Sequence, residues 1–273
     1  MSTAATPPVA DRLCRLTRRE TLSGPYALLT FEHPESARAS AGQFAMIQPE
    51  FGYDRLLRRP FSIMETDPDA GRFTIFLKAV GPGSRGVFDL REGESARVLG
   101  PLGHGFSSPR AGENVLLVGG GYGVAPFALF ARSLTRNNAS FRLFYGGRSE
   151  SELPLESELG RRGIPLTLST DDGTRGERGR VTAPLVSALN SLKGSARLYA
   201  CGPEAMMHAV ARIAAERDLP CEVSLDPWMG CGLGTCLGCV VWIQSPGESK
   251  PRSRPACTEG PVFDSRIVVW PDA

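Results

Sequence analysis

Charge of one sign, long apolar runs and histidine are all scarce in this chain. Lys and Arg number 31 against 29 Asp and Glu, a formal charge of +2 with 22% charged residues. That balance carries no signal for nucleic acid or for an anionic membrane surface. No run of about eighteen apolar residues occurs, so no segment reads as a bilayer-spanning helix. The opening stretch, residues 1–11, is rich in Pro, Ala and Thr and lacks the apolar core of a secretory signal, so the chain reads as unexported. Histidine occurs three times; His104 falls in a glycine loop, His208 on a helix face, and neither is assigned a catalytic role. In a reducing cytoplasm the seven cysteines point to metal or redox use rather than to disulfides.

Glycine (31) and proline (22) are abundant, a composition of loops and close backbone approach, and 273 residues suffice for two domains and an appendage. Four cysteines are ordered: Cys231, Cys236 and Cys239 form C-x4-C-x2-C, and Cys257 follows after seventeen residues. This is the ligand spacing of a plant-type [2Fe–2S] loop. Four thiolates must converge on two ferric ions and two bridging sulfides. Three can wrap the cluster from one short loop while the fourth arrives from a separate segment. Gly232, Gly234 and Gly238 lie between the ligands, where the chain can curl and aim N–H groups at sulfur. A structural zinc site with four cysteine ligands is the alternative, although zinc ligands come more often as two C-x2-C pairs. Cys14, Cys201 and Cys221 stand outside the pattern and read first as small buried hydrophobes.

Upstream, strand-like runs at 11–17, 26–32, 43–48, 61–65, 72–80 and 95–99 are separated by turn clusters. They predict a small antiparallel barrel over 11–108 after a mobile tail at 1–10. Two pieces of it carry polar chemistry. Arg59-Pro60-Phe61-Ser62 places a fork-shaped phosphate binder and a hydroxyl at a strand start. Gly81-Pro82-Gly83-Ser84 is a glycine turn whose N–H groups suit an anion. Either motif alone is more often structural. Their order and spacing resemble the ferredoxin–NADP reductase superfamily, in which such a strand and turn hold FAD. The resemblance implies that Arg59 binds the FAD pyrophosphate, that Pro60 and Phe61 line the flavin, and that Ser62 bonds near its reactive nitrogen. It also implies that Leu77 and Lys78 run beside the FAD, with Gly83 and Ser84 closing over its phosphates. Arg58 reads as a solvated charge.

From residue 109 the pattern changes. Asn114 to Val118 is a continuous apolar run, as in a strand buried on both faces; Gly119-Gly-Gly-Tyr-Gly-Val-Ala-Pro126 follows, then a helix to about 134. Further strands at 141–145, 165–169 and 197–200 alternate with helices, among them 204–217, and predict a doubly wound parallel sheet over 109–225. The loop Gly121 to Pro126 reads G-x-G-x-x-P, and a helix N-terminus after a buried strand suits a pyrophosphate. Gly119, Gly121 and Gly123 are therefore candidates for binding NAD(H). Pro in place of the last dehydrogenase glycine agrees with the reductase superfamily. There a C-G-P motif, here Cys201-Gly202-Pro203, meets the nicotinamide beside the flavin. Asp171 and Asp172 read equally as ribose contacts or as a surface turn. Coenzyme choice stays open between Arg148, suited to a 2′-phosphate, and Glu150, suited to a ribose.

Residues 226–273 form a small [2Fe–2S] module, with a strand at 240–244, a mobile loop at 245–255 and a short strand pair at 261–264 and 267–270. Trp228, Trp242 and Trp270 are expected to shield the cluster rather than to form a docking surface. Barrel, nucleotide domain and cysteine module in this order resemble the electron-transfer subunits of type B dihydroorotate dehydrogenases over nearly the whole chain. The phrase Cys257-Thr-Glu-Gly-Pro-Val-Phe263 is the discriminating one within the superfamily. The family implies FAD, a [2Fe–2S] cluster and NAD(H), with an FMN-bearing catalytic subunit as partner in a cytoplasmic heterotetramer serving pyrimidine biosynthesis. A nicotinamide gives two electrons as hydride and the cluster takes one at a time, so FAD stands between them. Alternatives are an NAD(P)H:ferredoxin-type reductase subunit, where the first ligand can be Asp instead of Cys231, and a redox-sensing or scaffold protein on the same fold.

Overall fold

The structure, a computed structural model, describes residues 7–49 and 57–271. Most of the tail expected at 1–10 lies outside them. Strands β1 (Ala10–Thr21), β2 (Tyr26–Glu32), β3 (Phe44–Pro49), β4 (Arg59–Asp67) and β5 (Arg72–Lys78) are followed by helix α1 (Pro82–Phe88) and β6 (Ser95–Leu102). The strands close into an antiparallel barrel in the order β1-β2-β5-β4-β3-β6. Its core is built from fully buried apolar residues contributed by successive strands, among them Leu16, Leu29, Ile47, Ile63 and Ile75. All six expected runs fall on these strands. Gly81–Ser84, expected as an open turn, instead begins α1. The Ser84 hydroxyl accepts from the N–H of Val80 (2.9 Å) and of Gly81 (3.1 Å), and Pro82 sits in the first turn, where a missing N–H costs nothing. Arg58 is not solvated either: its guanidinium pairs with Asp11 at 2.7 Å.

The second half alternates β7 (Asn114–Gly120), α2 (Ala125–Arg136), β8 (Phe141–Gly147), α3 (Glu156–Arg161), β9 (Leu166–Thr170), β10 (Glu177–Arg178), α4 (Thr182–Ser191), β11 (Ala196–Cys201), α5 (Glu204–Glu216) and β12 (Cys221–Ser224). The sheet runs β10-β9-β8-β7-β11-β12 with every neighbour parallel. The order reverses at β7, so the glycine loop leaves the sheet at its switch point, where doubly wound folds bind ligands. The first half of helix α2, Ala125 to Ala131, is buried all round because it lies between this sheet and the barrel. Its Arg132 reaches back to β4, donating to the Thr66 carbonyl at 2.7 Å. Phe106, in the connection between the halves, stacks on Phe127 and Phe130 at 5.5 and 5.4 Å.

Beyond β12 come β13 (Val240–Ile243), β14 (Arg252–Pro255), α6 (Ala256–Glu259) and β15 (Val262–Asp264). β13 and β14 pair as a hairpin, so part of the loop expected at 245–255 is strand. The pairing expected between 261–264 and 267–270 does not form. β15 instead extends the sheet antiparallel to β12, with Phe263 opposite Val223, and Val268 bridges to Ile243. Covering the bare edge of β12 satisfies its backbone and buries Val223 and Phe263 together. The cysteine module is thus anchored in the nucleotide-binding sheet. No helix among the described residues is long and apolar enough to cross a membrane.

His33, fully buried at the end of β2, accepts from the Ser36 N–H at 3.1 Å and lies edge-on to Phe73. Burial lowers its pKa, against the opposing pull of the Glu35 carboxylate, while Arg12 adds to the lowering. A lowered folded pKa means that the unfolded chain takes up the proton first. The contribution of His33 to stability is therefore complete above its unfolded pKa and is lost as pH falls below it. Urea midpoints at pH 7.5 and 5.5 should fall more for the wild type than for His33→Gln. An equal fall in both proteins would remove His33 from the acid sensitivity.

Candidate functional site

At the mouth of the barrel the β4–β5 ladder stops at Ile63 opposite Ile75. Arg59 to Ser62 pair only with β3, on their other side, with Pro60 opposite Met46 and Ser62 opposite Phe44. All four of these residues are half-buried. A flat heterocycle finds here a free strand edge with an apolar floor. The Arg59 side chain lies directly on α1, so close that a Cβ on Gly83 would stand 2.3 Å from its Nε. The two motifs, far apart in sequence, form one cradle. The carbonyls of Leu57 and Arg58 accept from Arg59 Nη1 at 2.8 and 3.1 Å and hold the guanidinium there. Because the Ser84 hydroxyl caps its own helix, an anion beside Arg59 would meet the backbone N–H of Gly83 and Ser84, which have no carbonyl partner inside α1. Such an arrangement fits a pyrophosphate and the ring system attached to it. Leu77 is buried in the barrel core and offers only backbone, whereas Lys78 reaches across toward the second domain.

The glycine loop and the C-G-P segment are packed on each other at the carboxyl end of the sheet. Gly119 pairs with Cys201 across β7 and β11. A Cβ on Gly123 would lie 2.6 Å from the Gly202 Cα, so only glycine permits the approach. The first turn after β7 is a tight 3-10 turn at Gly121–Val124, with Gly121 at φ +53°. Pro203 caps α5 and packs against Gly120. The Cys201 thiol is buried, which pushes its pKa up to about 12, so it is neutral and makes no nucleophile. Two residues that the motifs did not single out, Tyr122 and Tyr26, come from the two sides of the boundary between barrel and sheet. Tyr122, exposed in the middle of the glycine run, stands within electrostatic reach of Asp226, Cys201, Lys78 and Tyr26. Tyr26 stacks on Phe76 at 5.6 Å and carries the Lys78 ammonium over its face at 5.2 Å. A lone aromatic among glycines was the available signal for Tyr122; Tyr26 had none, since it enters only through the packing of β2 on β5. Asp172 spends its carboxylate on its own turn, accepting from the N–H and hydroxyl of Thr174 at 3.0 and 2.7 Å.

The cysteine loop packs on the outside of the barrel. A Cβ on Gly232 would lie 2.7 Å from Met46 Cγ and 2.9 Å from Leu102 Cδ1. Helix α6 brings Cys257 to the loop, where its sulfur accepts from the Gly234 N–H at 3.2 Å, and Cys231 accepts from the Leu233 N–H at 3.3 Å. Cys231 lies beside Cys236, and Cys257 lies beside Cys239 and within electrostatic reach of Cys231. Among the described residues no three His, Cys, Asp or Glu side chains converge on a point that would hold a single ion. Four thiols at this spacing, with backbone amides aimed at sulfur, fit a [2Fe–2S] cluster, which Cys231, Cys236, Cys239 and Cys257 would hold. Shielding by the three tryptophans is not what the structure shows. Trp228 is 93% exposed and Trp242 55%, and Leu233, Leu237 and Cys236 are exposed as well. Trp270 instead stacks on His208 at 5.2 Å, which fastens the C-terminal segment to α5.

Comparisons with known proteins agree with this layout. Residues 226–269 match the family described as the iron-sulfur cluster binding domain of dihydroorotate dehydrogenase B, and residues 117–212 the oxidoreductase NAD-binding domain. The electron transfer subunit of dihydroorotate dehydrogenase B (NAD(+)) from Desulforamulus reducens is 34% identical over 89% of this chain and 92% of its own length. Among solved structures, NADH-dependent reduced ferredoxin-NADP oxidoreductase aligns with a TM-score of 0.82 and 28% identity, over 95% of this chain and 90% of that one. A ferredoxin NADP+ reductase from Neisseria gonorrhoeae with bound FAD and NADP shares the fold, with a TM-score of 0.64 and 17% identity over 76% of this chain and 91% of that one.

Arg59→Ala should weaken FAD retention by about 1.5–3 kcal/mol, the worth of a charge-assisted hydrogen bond. Gly83→Ala should weaken it too, because the new Cβ displaces the guanidinium without unfolding the barrel. Equilibrium dialysis of FAD against both variants checks the cradle, and undiminished affinity in both would dismiss it. Cys239→Ser should strip the protein of iron and of its cluster absorption while bound flavin is retained; loss of both cofactors together would contradict two separate sites.

Proposed function

The chain belongs to the family of electron-transfer subunits of dihydroorotate dehydrogenase B, and from that premise we propose how its residues divide the work. It is an oxidoreductase subunit that carries electrons between NAD(H) and a separate catalytic subunit, through FAD and a [2Fe–2S] cluster. The path of contacts across the molecule carries this reading. Gly123 lies on the C-G-P loop, and the Gly121–Val124 turn lies against β5 of the barrel. Arg59 and Pro60 stand at the barrel mouth, Pro60 lies opposite Met46, and Met46 touches Gly232 of the cysteine loop. FAD, when bound at the barrel mouth, supplies the conversion between an electron pair and single electrons. No side chain is needed as acid, base or nucleophile. Arg59 and the first amides of α1 hold a pyrophosphate, Gly119 to Gly123 with Cys201 to Pro203 seat the nicotinamide, and Cys231, Cys236, Cys239 and Cys257 hold the cluster.

The working units are 11–108, 109–225 and 226–273. Trp228, Leu233, Leu237 and Trp242, each within a few residues of a cluster cysteine, all expose apolar surface, the kind of surface that a protein partner covers. In this reading the partner is the FMN-bearing catalytic subunit, the assembly a heterotetramer, and the pathway pyrimidine biosynthesis. Seven free cysteines support a cytoplasmic setting. The likeness to the NADH-dependent reduced ferredoxin-NADP oxidoreductase favours, as a second reading, a reductase subunit of another redox complex. Full-length similarity to the dihydroorotate dehydrogenase subunits, together with Cys231 as first ligand, favours the first.

Anaerobic titration with NADH should bleach the flavin band and then raise the electron paramagnetic resonance of a reduced [2Fe–2S] cluster. Adding the catalytic subunit should then give reduction of NAD+ that depends on dihydroorotate. A bleached flavin with a cluster that stays oxidised would break the proposed path. A reducible pair without coupling to that subunit would favour the second reading.

A further inference from the structure

Between the two domains lies a cleft of about 610 Å3, lined by Tyr26 and Lys78 from the barrel and by Glu150, Glu152, Glu156 and Arg175 from the nucleotide domain. Its volume is that of a small-molecule site. It opens beyond the carboxyl end of β8, which pairs with β7 at the start of the glycine loop, and β5, the strand ending in Lys78, lies against the turn of that loop. A dinucleotide seated by that loop would extend its adenosine end here. Glutamate tethers each cation of this region. Glu152 receives Lys78 at 3.4 Å and the Arg148 Nε at 3.1 Å, and Arg175 donates its Nε to Glu156 at 2.9 Å. Each of the three cations, Lys78, Arg148 and Arg175, is thus already paired with a carboxylate of the lining.

Arg148 is the residue placed by sequence to receive a 2′-phosphate, and the structure shows it engaged elsewhere. Its guanidinium and its backbone N–H both donate to Glu152. The Arg148 guanidinium, ahead of every other influence, holds the Glu152 carboxyl down to about 2, so the carboxylate is charged throughout the working pH range. Glu152 is also held in place apart from its side chain. The hydroxyl of buried Tyr145 donates to the Glu152 carbonyl at 3.2 Å, and the Leu153 N–H bonds the Glu150 carbonyl at 3.0 Å.

We propose that Glu152 is the specificity-determining residue for the coenzyme: its carboxylate occupies Arg148 and Lys78 and repels the 2′-phosphate of NADPH, so that the cleft accepts only the unphosphorylated ribose of NADH. This rests on the nicotinamide reading above. A 2′-phosphate brings close to two negative charges, and in this cleft it would meet carboxylates whose cations are already committed.

The test is calorimetric titration of the flavin-loaded, full-length protein with NADH and with NADPH, in the wild type, Glu152→Gln and Arg148→Ala/Glu152→Gln. Binding is measured directly and turnover is not used. Glu152→Gln should tighten NADPH by about tenfold or more through removal of one charge repulsion and release of Arg148, with NADH nearly unchanged. The double variant should return NADPH toward its wild-type affinity. Equal weakening of both coenzymes by Glu152→Gln, or an unmoved NADPH-to-NADH ratio, would overturn the proposal and leave the function intact. Loss of FAD from Glu152→Gln would assign the cleft to the flavin and overturn it as well. Failure of the wild type to bind either coenzyme would remove the reading of function and this inference with it.

Discussion

The contact of the cysteine loop with the outer wall of the barrel is the constraint on which the rest depends. Gly232 has no room for a Cβ because Met46 and Leu102 press against it. Met46 also lies across from Pro60 in the flavin strand. Electrons cross a protein only where redox groups are brought close, and here the closeness is made by apolar packing of one loop on one strand pair. The remainder of the C-terminal segment serves that placement. α6 delivers Cys257, β15 locks into the sheet beside β12, and the His104 N–H bonds the Gly260 carbonyl at 2.6 Å, joining barrel and module again.

A second theme is the use of backbone where a hydrolytic enzyme would use side chains. Amides of Leu233 and Gly234 meet sulfur, the first amides of α1 stand beside Arg59, and the glycine loop packs on the C-G-P loop with no side chain between. Backbone dipoles are fixed by the fold and do not titrate, which suits groups whose charge changes as electrons pass. Ionisable side chains are kept neutral by burial, as with Cys201, or locked in pairs, as with Arg148 and Glu152. Conversely, the surface beside the cysteines stays apolar and uncovered, and Trp228 is its most exposed element.

What the sequence determined by itself was whatever rests on local chemistry. Short strand-like runs divided by turn clusters set the barrel strands, the unbroken apolar run at 115–118 set a strand buried on both faces, and C-x4-C-x2-C announced a cluster through ligand spacing. Contacts between distant segments were decided only by tertiary structure. Gly81–Ser84 became a helix start because Ser84 turned back to cap Val80 and Gly81. Arg58 lost its solvent to Asp11, and β15 chose the edge of β12 over its neighbour in sequence because burying Val223 and Phe263 together outweighs a short local pairing. The three tryptophans read as a shield because exposure is not a property of a residue type. For the same reason Tyr26 and Glu152, each unremarked within its own segment, meet Lys78 in a single cleft: their meeting is a matter of how two domains dock, and no local pattern encodes that docking.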